Sequence, residues 1–193
     1  MIFRKKGLRI EISPLFFIIT STLLLIDDSG YMAYSLLFSL CHEFGHLLMM
    51  YLLKKPPHYI SVKYYGLEIC ASSFNYLEAI LISLSGPFIN VLFAILFSVA
   101  SRFLKIDFLL IIINLAIGIF NLLPIESLDG GDILSALLSL LFNDRISKLI
   151  TKIVSVLSSS IIFIFGVMLI QYGNIGVILI GIYLFVINLI KSD

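Results

Sequence analysis

Cysteine and charge are both scarce in this sequence. It holds two cysteines, Cys41 and Cys70, in or beside apolar segments and in no metal-binding spacing, so neither a disulfide framework nor a thiolate site is expected. Charged residues make up 13% of 193 positions and the formal net charge is +1, which gives nucleic acid binding no support. Low-complexity stretches and convincing repeats are missing too. What fills the chain is hydrophobic: 60% of residues are apolar and the mean hydropathy is +1.11, the composition of a membrane protein.

Apolar runs stand at about 14–26, 31–53, 78–101, 108–125, 153–171 and 174–190. Roughly 20 helical residues cross the hydrocarbon core of a bilayer, so these six are expected as transmembrane helices. A further run, Ile133 to Phe142, is too short to span and is expected as an interfacial or re-entrant helix. The first run follows Arg4, Lys5 and Lys6 in the manner of a signal peptide. No small-residue cleavage pattern comes after it, and Asp27 and Asp28 do, so it is expected to remain as a span. With a cytosolic N-terminus, the inside segments hold all of the thirteen Lys and Arg residues except Arg102 and Lys105, which places both termini in the cytosol. Arg9 to Ser13, and the β-branched and aromatic stretch from His58 that follows Pro56 and Pro57, alternate like strands. The expected fold class is an all-α integral membrane protein: six transmembrane helices with a small β-sheet at the cytosolic rim. It is read as a single domain over 1–193, with a core at 31–132 flanked by 14–26 and 153–190.

Within the second run, His42, Glu43 and His46 fit HExxH. On a helix, positions i and i+4 share a face, where two imidazoles can hold one metal ion. A charged side chain at bilayer depth costs on the order of 3 kcal/mol, so such a cluster needs a partner or a function. One Zn²⁺ per chain supplies both, with Glu43 beside the first ligand as the base for a bound water. The plainer alternative is interhelical hydrogen bonding by the histidines. A catalytic zinc usually takes three protein ligands, and candidates for the third stay open at this point. His58 lies in the loop past the prolines, where a surface or strand role is favoured; Glu68 and Glu78 flank the third run, with Glu78 at a helix start; Glu126, Asp129 and Asp132 cluster at the end of the fourth.

Asn121-Leu-Leu-Pro-Ile-Glu-Ser-Leu-Asp-Gly-Gly131, with HEFGH upstream, resembles the paired NxxPxxxLDG and HExxH motifs of the site-2 protease family of intramembrane zinc metalloproteases. The resemblance implies Asp129 as the third zinc ligand and Glu43 as the catalytic base. Ser85 to Asn90 is similar to the family's SGPxxN stretch, and Asn121 and Asn90 are expected to bind substrate. Gly130 and Gly131 are expected to give the backbone freedom to turn the Asp129 carboxylate. The implied activity is hydrolysis of a peptide bond in or near a transmembrane segment of a membrane-tethered protein. The implied partners are that substrate, the lipid bilayer and a regulatory membrane subunit. Six spans resemble the sporulation branch, stage IV sporulation protein FB, which processes a sigma-factor precursor. Its localisation would be a bacterial-type inner or mother-cell membrane, with the site towards the cytosolic half. Tyr64 to Glu68 and the pair Glu126, Ser127 depart from that branch's pattern. Two other classes compete: a catalytically silent relative acting as a membrane binding partner, and a transporter using buried polar residues as an ion path.

Overall fold

Proline, glycine, asparagine and aspartate punctuate the apolar runs, and the element ends follow them. The computed structural model describes residues 2–5, 8–63, 66–70, 73–169 and 176–190. The order is β1 (Ile2–Lys5), β2 (Leu8–Ile12), α1 (Pro14–Ile26), α2 (Tyr31–Leu52), β3 (Tyr59–Lys63), β4 (Gly66–Cys70), α3 (Tyr76–Ala100), α4 (Phe108–Asn121), α5 (Asp129–Leu141), α6 (Asp144–Leu169) and α7 (Gly176–Ile190). Pro14 opens α1 at the position where a missing N–H costs nothing. The turn into α2 is tied by Asp27, whose carboxylate accepts from the Ser29 hydroxyl and from the Met32 amide at 2.8 Å. These bonds, the hydroxyl's first, hold the Asp27 carboxyl below its ordinary pKa. Gly30 completes the turn at φ 76°. Asn75 and Glu78 start α3 with a reciprocal capping box, each side chain meeting the other's backbone N–H at 2.8 Å. Lys55 adds an ion pair to Glu78, so the α2 exit and the α3 entry share one anchor.

The chain divides into two compact units, Met1–Gly118 and Ile119–Asp193. The division falls near the end of α4, just before the helix-breaking stretch around Pro124.

In the first unit the expected small sheet is present, with four strands in the order β1-β2-β3-β4. β2 pairs parallel with β3, Arg9 opposite Tyr59 and Ile12 opposite Val62; the other two pairings are antiparallel. Parallel neighbours need a long crossover, and α1 with α2 provides it. The result encloses β3, the strand following Pro57, between two partners and leaves β1 and β4 as the outer strands. α2 packs on α3 at Gly45, where an added Cβ would stand 2.6 Å from the Ser85 carbonyl oxygen. Phe38 fills the same interface further along, its ring tilted against Phe93 and edge-on to Phe97.

In the second unit, α6 buries Ser147, Thr151, Ser155 and Ser159 at four-residue spacing, a stripe of small side chains. Gly166 of α6 packs against the Ile178 backbone of α7. The helix begins nine residues before the apolar run at 153, because charged Asp144, Arg145, Lys148 and Lys152 occupy its exposed face.

Apolar side chains are widely exposed: α1 has no buried residue, and Leu25 is 85% exposed. Among the described residues, two helices, α3 and α6, are long and apolar enough to cross a membrane. The six-span expectation is not met in full. α1, α4 and α7 have 13, 14 and 15 residues, short of the roughly 20 a span needs. α2 has the length at 22 residues, but His42, Glu43 and His46 dilute its hydropathy.

Replacing Gly45 with alanine should force α2 and α3 apart, at a cost of about 1–3 kcal/mol. A lowered thermal midpoint of the detergent-solubilised protein, with helix content unchanged at low temperature, is the expected measurement.

Candidate metal centre

HExxH places its histidines on one helical face, and the structure turns that face inward. His42 and His46 of α2 are 3% and 7% exposed, with ring centroids 4.9 Å apart and ring planes 80° to each other. Each ring has its Nδ1 engaged by α3: His42 Nδ1 lies 2.6 Å from Asn90 Oδ1, and His46 Nδ1 lies 2.7 Å from the Ile82 carbonyl. Both partners are oxygens, so each ring donates from Nδ1. This is the pattern by which outer groups orient metal-binding imidazoles.

The space in front of those nitrogens is made by Gly86. A Cβ there would lie 2.7 Å from His42 Nε2 and would overlap His46 Nε2 more closely still. Nothing larger than hydrogen fits at 86 without filling the place where the two Nε2 atoms point. Pro87 next to it is buried and has no N–H for the carbonyl four residues back, which removes one rung of α3 beside the site. Two imidazoles so oriented, with both Nε2 atoms beside Gly86, fit a zinc ion as donors.

The remaining site residues of the sequence reading are found as follows. Glu43 is next to His42, half-buried, on the same turn. Asn90 has no exposed surface and stands behind His42, which gives it an orienting contact with the ring. His58 is exposed, its carbonyl bonded to the Arg9 amide. Glu78 belongs to the α3 cap. In the second unit, Asn121 closes α4 and is half-buried. Asp129 opens α5 in its first turn, with Asp132 exposed one turn on; the acids stand in a turn and a new helix, beyond the end of α4. α4 stops at Asn121 because Pro124 cannot continue it.

The two glycines after Asp129 work by size. Both are helical and neither has positive φ. A Cβ on Gly130 would overlap the Leu122 and Leu123 carbonyls, and one on Gly131 would stand 2.7 Å from the Glu126 Cα. The start of α5 is therefore pressed against the turn 122–126, and that contact positions Asp129. Glu126 adds an anchor: its N–H donates to Ser155 Oγ at 2.9 Å, a bond that a proline at this position could not make. Among the described residues, Glu126 Oε2 and Ser127 Oγ are buried with no hydrogen-bond partner.

Backbone carbonyls leave no motif, so the contact of Ile82 with His46 could not be read from residue types. Asn90 had a signal in the SGPxxN stretch.

Comparison with known proteins bears on the fold. The solved structure of a site-2 protease from Methanocaldococcus jannaschii superposes with a TM-score of 0.73 at 23% sequence identity, covering 100% of this chain and 95% of that one. The chain shares the site-2 protease fold. A family model described as Peptidase family M50 matches residues 98–165, a stretch that includes Asn121 and Asp129. No curated protein matches the chain.

Alanine at Gly86 should weaken zinc binding about tenfold or more while leaving the helices folded. Competition with a chromophoric chelator, alongside circular dichroism, measures both.

Proposed function

We propose that this chain is a zinc-dependent intramembrane endopeptidase, holding one Zn²⁺ through His42, His46 and Asp129 and cutting a membrane-tethered protein in or near its transmembrane segment. The observation that carries it is the pair of buried imidazoles, proton on Nδ1, whose Nε2 atoms face the space kept by Gly86. Zinc, when bound, supplies Lewis acidity that makes water a usable nucleophile near neutral pH. Glu43 accepts the proton of the attacking water and passes it to the leaving amine. Asp129 supplies the carboxylate of the ligand set, a choice supported by its place in the LDG motif and by the packing of Gly130 and Gly131. Asn121, three residues before the Pro124 break, donates to the substrate backbone.

A substrate helix hides its peptide bonds in internal hydrogen bonds, so cleavage requires an extended segment. β3 is enclosed; β4 is an outer strand and offers its edge for pairing with such a segment. The membrane assignment draws on the exposed apolar surface and on α3 and α6, and the six-span topology with cytosolic termini draws on the distribution of Lys and Arg. The active site then faces the cytosolic half of the bilayer, and a regulatory membrane subunit is a further partner. The narrowest form of the proposal, a sigma-factor precursor processed during sporulation, draws on motif resemblance alone.

The decisive test uses purified protein in liposomes with a single-span membrane substrate. Glu43→Gln should keep its zinc and lose at least about 100-fold in cleavage rate. Full cleavage by that variant removes Glu43 from its role, and active wild type without zinc removes the metal mechanism. Asp129→Ala should lower zinc occupancy; unchanged occupancy moves the third ligand to Glu126 or Asp132.

A further inference from the structure

Asn114 stands in the middle of α4 among leucines and isoleucines, with no exposed surface. A buried amide in that setting needs partners for its donors and acceptor, and here they form a chain with one direction. Asn114 Nδ2 donates to the Leu110 carbonyl at 2.9 Å. Its Oδ1 accepts from Asn90 Nδ2 at 3.3 Å, and the same amide group of Asn90 donates to the Phe38 carbonyl at 3.4 Å. Asn90 Oδ1, the end left over, meets His42 Nδ1 at 2.6 Å.

The order of donors and acceptors cannot be reversed at any one link. Turning Asn114 over would set its oxygen against the Leu110 oxygen and its NH₂ against the NH₂ of Asn90. Turning Asn90 over would set its oxygen against the Phe38 and Asn114 oxygens. The Leu110 carbonyl, acting through Asn114, and the Phe38 carbonyl can only accept, and together they set the direction of the chain, at whose far end His42 donates from Nδ1. Gly118, one helical turn past Asn114, faces the same part of α3: a Cβ there would stand 3.4 Å from Asn90 Cβ.

We infer that Asn114 is a positioning residue: through Asn90 it fixes a proton of His42 on Nδ1 and so orients the ring whose Nε2 is the proposed metal donor. The role depends on the zinc reading for its use, but the tautomer itself is a property of the metal-free chain. Asn114 touches neither metal nor substrate. Its effect passes through two hydrogen bonds and one ring.

The test takes the full chain in detergent, first metal-free and then titrated with zinc. Ring-nitrogen NMR reads which nitrogen of His42 is protonated, with signals assigned from single substitutions of His46 and His58. Wild type should show the proton on Nδ1. Asn114→Leu, close in size, should give a mixed or reversed tautomer at His42, leave His46 unchanged and weaken zinc binding about tenfold. Asn114→Asp, whose acid form offers an acceptor to Asn90 and an O–H to Leu110, should restore the wild-type pattern and affinity. A merely structural role would lower the thermal midpoint of the leucine variant without moving the His42 signals. Wild-type signals and wild-type zinc affinity in Asn114→Leu overturn the inference, as does a proton on Nε2 in wild type. A wild-type chain that binds no zinc defeats the metal reading instead, and the metal-free spectra still decide the role of Asn114.

Discussion

A polar side chain placed among apolar ones must find a hydrogen-bond partner or cost several kilocalories per mole, and the interface between α2 and α3 is arranged around that demand. His42 and His46 lie in a helix whose other faces carry leucine, methionine and phenylalanine. Each ring finds its partner on α3, one in the Asn90 side chain and one in the Ile82 backbone. Satisfying Nδ1 in this way leaves Nε2 of both rings directed at the same small space. The packing follows from the same requirement. Gly45 lets the helices approach until the Ile82 carbonyl and Asn90 are within reach, and Gly86 keeps the approach from closing over the nitrogens.

The first unit also shows why the site sits on helices tied at both ends. Tyr31 at the start of α2 hydrogen-bonds Asp107, which in turn caps the first turn of α4 through the Leu109 amide at 2.9 Å. The Tyr31 hydroxyl, more than the amide, holds the Asp107 carboxyl below its ordinary pKa, so at neutral pH it is ionised and accepts both bonds. At the other end, Lys55 and the capping box of Asn75 and Glu78 join the α2 exit to the α3 entry. Helices pinned twice have little freedom to slide, which suits a metal site that tolerates errors of only fractions of an ångström.

Much of the helical layout was legible in the apolar runs. The run at 14–26 coincides with α1, and those at 31–53 and 78–101 lie within two residues of α2 and α3 at each end. The run at 108–125 overreached by four residues because Leu122, Leu123 and Ile125 are apolar yet lie in a turn around Pro124. The start of α6 was missed since its first nine residues are amphipathic, and averaging hydropathy over a window erases a two-faced pattern. β2 and β3 could be seen as alternating stretches, whereas their parallel pairing depends on the route of α1 and α2 between them.

The residue types of the candidate metal centre and their helical spacing were legible in the sequence alone, because HExxH is local and one helix turn brings its members together. Only the tertiary structure decided that Asn90 serves His42, that Asn114 stands behind Asn90, and that Gly130 and Gly131 matter for space and not for backbone freedom. These are contacts between residues far apart in the chain or with backbone oxygens common to every residue. A linear order of side chains carries no record of them until packing brings the helices together.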